Sequence, residues 1–196
     1  QNEFGEVLPE KSTKGGLSVG VPGTVAGLFE IHRKFGTLPM KDLIKPSIDL
    51  ATKGFVVTEG QKSSLESKRL EFIEVNGEET FFARKIKKGD TIKNIAFANA
   101  LKLISEKGEK AFYEGAIAKS MVEEIKESGG IVDLEDLSSY KPKWRKPISF
   151  KYKNLNIVSM SPPSSGGICL AQMLKMVEKY PIKDFGYNSE KTIQLM

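Results

Sequence analysis

A chain of 196 residues that is 39% hydrophobic and 28% charged is long enough to bury a core and too apolar to be disordered throughout. No apolar run approaches the roughly 18 residues of a membrane helix, and the opening QNEFGEVLPEKSTKGG lacks the apolar stretch of a signal peptide. The net charge of +5 is spread over many lysines; the densest runs, ARKIKK (83–88) and KPKWRK (141–146), are short and read as solvated surface, not as a nucleic-acid stripe.

In chain order, Pro9 and Gly15-Gly16 make residues 1–16 an extended lead-in. Leu17, Val19 and Val21 alternate like a short strand, Pro22-Gly23 is a turn signal, and Thr24 is placed to cap a helix running to Phe35. Gly36 is the expected left-handed stop. Pro46 argues for two short helices, 39–44 and 45–53, because its missing N–H breaks a helix interior; Gly54 ends the second. Thr58 and Gln61 form a capping-box pattern for a helix over 59–70, and VNGEE (75–79) is a turn. Asp90 or Thr91 opens a helix to Glu106, with Ile92, Ile95, Ala96, Leu103 and Ile104 on one side and Gly108 after it. Ile117, Met121 and Ile125 step by four along the next helix, which Gly129-Gly130 closes. DLEDLSSY is a short capped helix, and 147–152 with 155–159 form a hairpin around Asn154. A helix carrying Leu170, Met173, Leu174 and Val177 follows, ended by Pro181, and Asn188 or Ser189 starts a last one. The pattern predicts an α+β fold dominated by helix, with about eight helices and three or four short strands. The chain begins with Gln1, not Met, and its last helix starts about eight residues before Met196 without a C-cap. It therefore reads as a piece of a longer protein, truncated at the C-terminus.

The chemistry-bearing residues are few. Cys169 is the only cysteine and His32 the only histidine, which excludes an internal disulfide and argues against a zinc site. No cofactor is implied. Cys169 falls in an amphipathic helix and is expected to be buried and inert. His32 shares an apolar face with Val25, Leu28, Phe29 and Phe35, which favours a packed histidine over a catalytic base. Asp133, Glu135 and Asp136 could do acid–base work, but Asp133 is better placed as a helix N-cap. VPGTVAG lacks the Gly-Lys-Ser/Thr ending of a phosphate loop and reads as a tight turn, with Gly27 allowing close packing. Trp144 is expected to pack, and Arg145 to pair locally.

The strongest local signal is SMSPPSSGG (159–167), set between a strand and a helix. Its prolines stiffen the approach, Ser164 or Ser165 can cap the helix, and Gly166 and Gly167 permit positive φ or close approach. Free N–H groups at such a helix start can hold an anion. A serine nucleophile would also need a base and oxyanion donors, and nothing nearby in sequence supplies the base. The SSGG core resembles the amidase-signature hydrolases over about four residues.

A far wider likeness runs through GVPGTVAG (20–27), KFGTLP (34–39), LIKPSIDLATKGFVV (43–57), KKGDTI (87–92), FYEGAIA (112–118), GGIVDLEDLSSYKPKWRKPI (129–148) and SMSPPSSGG (159–167). In order and spacing these resemble the large subunit of the γ-glutamyltranspeptidases, or glutathione hydrolases. The resemblance implies part of an αββα N-terminal nucleophile hydrolase, with residues 17–196 as the helical part of the large subunit. It implies a precursor that cuts itself before a threonine, which then attacks the γ-glutamyl amide of glutathione. That threonine opens the small subunit in a TTH-type sequence, which this chain does not contain. Thr24, Thr37, Thr52 and Thr91 match other parts of the pattern. The family's substrate-binding arginine finds no counterpart in Arg33, Arg69, Arg84 or Arg145. Its substrate-gripping Ser-Ser and Gly-Gly belong to the small subunit and are distinct from Ser164, Ser165, Gly166 and Gly167, which stand only as possible substrate-binding residues. The implied partners are the small subunit of the same precursor and γ-glutamyl compounds, with no nucleic acid and no membrane span. The implied location is the periplasm or outside the cell. The alternatives are a serine hydrolase using Ser164 or Ser165, and a helical interaction module without chemistry.

Overall fold

Helices end here where glycine takes over. Gly54, Gly77 and Gly108 each sit at positive φ just past a helix, a conformation that costs a residue with a Cβ. The computed structural model describes Gly5 and residues 9–195, so the lead-in expected over 1–4 and 6–8 lies outside the described residues. Contacts divide the chain into two units, Gln1–Pro142 and Lys143–Met196.

The first unit holds seven helices among its described residues: α1 (Thr24–Phe35), α2 (Met40–Lys53), α3 (Glu59–Asn76), α4 (Ile95–Lys107), α5 (Lys110–Tyr113), α6 (Ala116–Glu127) and α7 (Leu134–Ser139). Two short strands, β1 (Phe55–Val56) and β2 (Thr91–Ile92), pair antiparallel in the register Phe55↔Ile92 and Val56↔Thr91. One core cluster lies where α1, α5, α6 and α7 meet, on Ala26, Tyr113, Ala118, Val122, Ile125, Val132 and Leu137. Its small members let helices approach closely, and buried apolar area supplies the stabilisation at about 25 cal/mol per Å². A second contact line joins α2 to α4, with Ala51 and Ala98 buried.

Several expectations change in this unit. Residues 17–21 are not a strand: Gly16–Ser18 form a single 3-10 turn. Gly16 is pinned instead, donating its N–H to the Ser128 carbonyl at 3.1 Å, with no room for a Cβ beside the Ile125 and Ser128 carbonyls. Residues 9–14 are a hydrogen-bonded turn, with the Thr13 and Lys14 N–H groups both donating to the Glu10 carbonyl. α2 runs unbroken through Pro46. Its packing on α4 and the Lys45–Asp49 pair at 2.8 Å offset the lost bond and the ring's crowding, worth about 3 kcal/mol.

α3 extends six residues past the expected end at residue 70. It buries none of its residues, so apolar spacing could not mark its length. It is held by pairs such as Lys68–Glu71 and Arg69–Glu66, and by Phe72 stacked on Phe82 at 4.9 Å. The helix expected from residue 90 starts only at Ile95, because the Asn94 side chain accepts from the Phe97 N–H at 3.0 Å while Thr91 and Ile92 join β2. Its buried line runs through Ala98 and Ile104, leaving Ile95 exposed.

Gly36 is extended at φ −69°, not left-handed. It is needed for space, since a Cβ there would strike the His32 ring and carbonyl. A Cβ on Gly27 would meet open space, so close packing does not require glycine there; Gly23 makes the close approach, against the hydroxyl end of the Tyr140 ring. Gly23, not Thr24, is the N-cap of α1. The cap function comes from far along the chain: the Tyr113 hydroxyl accepts from the Ala26 N–H at 3.1 Å and donates to the Pro22 carbonyl at 2.6 Å.

The second unit consists of the hairpin β3 (Ile148–Tyr152) and β4 (Leu155–Ser159), then α8 (Gly166–Val177), α9 (Ile182–Phe185) and α10 (Glu190–Leu195). The hairpin closes through Lys153 and Asn154, with Lys153 at φ 51°, and pairs Ile148 with Ser159 at its open end. α9 was not expected; it follows Pro181 directly, and Pro is well suited to a helix start. α10 begins where expected, with Ser189 Oγ accepting from the Thr192 N–H at 3.3 Å. The whole is an α+β fold dominated by helix, with four short strands among the described residues.

Candidate functional site

The turn between β4 and α8 is built from the residues that dominate the sequence. The Ser164 N–H donates to the Ser161 carbonyl, and Ser164 Oγ accepts from the Gly166 N–H at 3.3 Å. Ser164 therefore performs the capping role through its hydroxyl. Ser165 occupies the N-cap position, but its side chain makes no capping bond. The Ser165 carbonyl starts the helix by accepting from the Cys169 N–H at 2.9 Å. Pro162-Pro163 is a cis peptide bond.

Gly166 and Gly167 both have ordinary negative φ, so positive φ is not their purpose. Gly167 is buried, and a Cβ on it would run into the Met160 carbonyl oxygen and come within 3.2 Å of Ser159 Oγ. Close approach of α8 to the end of β4 is what requires glycine here. At Gly166 a Cβ would meet only Ser164 Oγ, at 3.5 Å. The far end of α8 is tied down as well: Glu178 Oε1 accepts from the Lys153 N–H at 2.6 Å, and Lys175 pairs with Glu178 at 2.7 Å. Those contacts, Lys175 first, hold the Glu178 carboxyl below its ordinary pKa. Met160, Ser159 and Glu178 were not singled out in the sequence; the glycine pair hinted at a close approach without naming its partner.

Neither Ser164 nor Ser165 has a base within hydrogen-bonding distance among the described residues. Cys169 is exposed, contrary to the buried thiol expected of it. α8 rests one side on the hairpin, and Cys169 lies off that side with Ile168, Met173 and Met176. Trp144 is 53% exposed, and Arg145 makes no ion pair among the described residues.

In the first unit the other candidates resolve into structure. Asp133 accepts from the N–H groups of Glu135 and Asp136, and Asp136 returns a bond from the Asp133 N–H at 3.0 Å, a complete capping box for α7. His32 is half-buried and its Nε2 meets the Leu38 carbonyl at 2.7 Å, which anchors the loop after α1. The Tyr113 hydroxyl is pushed up in pKa by burial, opposed by the Ala26 N–H it accepts from. Thr52 donates its hydroxyl to the Ile48 carbonyl within α2. Among the described residues no group of three or more His, Cys, Asp or Glu side chains is gathered as for a metal ion, and no helix is long and apolar enough to cross a membrane.

The likeness to known proteins covers this scaffold from end to end. The sequence profile of the gamma-glutamyltranspeptidase family matches residues 2–196. The glutathione hydrolase proenzyme of Escherichia coli strain K12 is 36% identical over 191 residues, covering 95% of this chain and 33% of its own length. The crystal structure of Helicobacter pylori gamma-glutamyltranspeptidase superposes with a TM-score of 0.91 at 36% identity, over 99% of this chain and 57% of that one. The gamma-glutamyltranspeptidase of Pseudomonas nitroreducens, solved with L-DON, gives 0.84 at 36% identity, over 98% and 58%.

Proposed function

The chain belongs to the γ-glutamyltranspeptidase family, and on that premise we propose that it is part of the large subunit of a glutathione hydrolase and γ-glutamyltransferase. The observation that carries the proposal is the match to a glutathione hydrolase proenzyme over 95% of this chain. The chain spans about a third of that relative's length, 33%. The word proenzyme fits a precursor cleaved into two subunits.

In the proposed reaction the hydroxyl of an N-terminal threonine, outside this chain, attacks the γ-glutamyl carbonyl carbon. The C–N bond of the amide breaks, the departing amine takes up a proton, and a γ-glutamyl ester is left on the threonine. Water, an amino acid or a peptide then attacks that ester and regenerates the hydroxyl. Residues 17–196 supply helical support for the sheet that carries the threonine. No residue of this chain is assigned to the chemistry. The turn at Ser164, Ser165, Gly166 and Gly167 is read as a capped and closely packed joint. A serine hydrolase centred on it is disfavoured, because neither hydroxyl meets a base. The full protein is proposed to act in the periplasm or outside the cell, joined to its small subunit.

The test compares the isolated chain with the full-length, self-cleaved protein on γ-glutamyl-p-nitroanilide. The full-length protein is expected to release nitroaniline and the isolated chain none. Hydrolysis by the isolated chain, abolished by a serine-directed inhibitor, would place the nucleophile here and overturn the proposal. A full-length protein inactive on γ-glutamyl anilides would overturn the substrate assignment.

A further inference from the structure

The turn that joins the 3-10 segment Phe81–Ala83 to α4 carries an excess of positive charge that no neighbour balances. Between residues 84 and 93 the sequence places Arg84, Lys85, Lys87, Lys88 and Lys93 against a single carboxylate, Asp90. That carboxylate is engaged, since Asp90 Oδ2 accepts from the Lys87 backbone N–H at 2.8 Å to close the turn. Lys85, Lys87, Lys88 and Lys93 form no ion pair among the described residues. The acids nearest the turn on the adjoining helices are matched, Asp49 to Lys45 and Lys53 and Glu59 to Lys62. The nearest acids along the chain, Glu78 and Glu79, lie on the far side of Phe81–Ala83.

The turn is held rigidly on β1. The Val57 N–H donates to the Asp90 carbonyl and the Gly89 N–H to the Val57 carbonyl, both at 2.9 Å, with Val57 itself buried. Lys93 lays its stem beside Gly54. Beside this turn, β1 exposes two apolar side chains, Phe55 at 39% and Val56 at 64%. A lysine-rich turn next to exposed apolar side chains suits the boundary of an anionic bilayer: the cations meet headgroup phosphates while an apolar group enters the interface.

We propose that the 84–93 turn with β1 is a docking surface for an anionic lipid membrane, used peripherally and independently of any catalytic activity. A nucleic acid would satisfy the lysines but leave the aliphatic Val56 in water.

The experiment is co-sedimentation of the full-length protein with vesicles of phosphatidylcholine alone, or with about one-third phosphatidylglycerol. Binding is expected only to the anionic vesicles. It should fall as salt rises from about 0.1 M to about 1 M, which shortens the screening length from about 10 Å to about 3 Å. Reversing three lysines together (Lys85→Glu, Lys87→Glu, Lys88→Glu) should lower the partition coefficient by more than about a hundredfold. The same charge change on α2 and α6 (Lys41→Glu, Lys119→Glu, Lys126→Glu) should lower it far less. Val56→Ser, which leaves the charge alone, should weaken binding severalfold. Circular dichroism and melting temperature verify that each variant is folded. No binding to the anionic vesicles, equal loss in both triple variants, or full competition by duplex DNA with Val56→Ser unchanged would each overturn the proposal.

Discussion

Alanine substitutions at the two neighbouring glycines of α8 should act in opposite directions. At Gly167 the new Cβ meets the Met160 carbonyl oxygen and lies 3.2 Å from both the Met160 carbonyl carbon and Ser159 Oγ. These atoms close the end of β4, where Ser159 pairs with Ile148, so the backbone has little freedom to yield. Overpacking of this kind costs about 1–3 kcal/mol, from which the helix preference of alanine and the stiffer unfolded chain return about 0.5–1 kcal/mol. A net loss of about 1–2 kcal/mol is expected for Gly167→Ala. At Gly166 the Cβ makes one ordinary contact, with Ser164 Oγ at 3.5 Å. Gly166→Ala should therefore gain about 0.4–1 kcal/mol. Trp144 is the only tryptophan and belongs to the same unit, so its fluorescence in a urea titration reports this region directly. If Gly167→Ala proves as stable as Gly166→Ala, close approach to β4 is not what the glycine provides.

Tyr113→Phe strands the Ala26 N–H and the Pro22 carbonyl and should cost about 1–3 kcal/mol in urea titrations followed by circular dichroism. Because the folded-state pKa of Tyr113 is raised, its protonated form contributes stability that is complete below pH 10 and drains away as pH climbs through the folded value. The gap between wild type and Tyr113→Phe should accordingly narrow only above about pH 10, and a constant gap to pH 12 would rule the linkage out. Asp133→Ala removes the acceptor of the α7 capping box and should cost about 1 kcal/mol, with Asp133→Asn recovering much of it. The lowered pKa of Glu178 means its carboxylate contributes stability above its unfolded value of about 4.3, lost as pH falls through the folded one. Glu178→Gln should flatten the acid limb of the Trp144 unfolding profile; an unchanged limb would show that the Lys153 and Lys175 contacts carry no linkage.

What could be read in the sequence was local. The Thr58–Gln61 capping box, the Asp133 N-cap, the hairpin around Asn154 and a start of α10 at Asn188 or Ser189 each depend on residues within four positions of one another. Misreadings arose where distant residues decide. Pro46 stays helical because α4 lies alongside α2; Leu17 and Val19 find no partner strand; Gly16 is fixed by a carbonyl more than a hundred residues away. α3 hid its length by lacking an apolar face. At the candidate site, SSGG announced a special turn, but the close approach that Gly167 serves depends on the Met160 carbonyl, which no local pattern placed beside it. Family likeness resolved what periodicity could not, because it draws on motifs scattered from residue 20 to residue 167.

The Tyr113 hydroxyl also imposes an order of events. A helix with its own capping side chain can form as soon as its first turns are made, whereas α1 borrows its acceptor from a residue 87 positions downstream. During synthesis the first turn of α1 therefore has no such acceptor until α5 has emerged and docked. The loop closure that joins them is a slow, non-local step compared with helix growth. Pulse-labelled hydrogen exchange during refolding should find the Ala26 amide protected together with the α5–α6 contacts, later than the middle of its own helix.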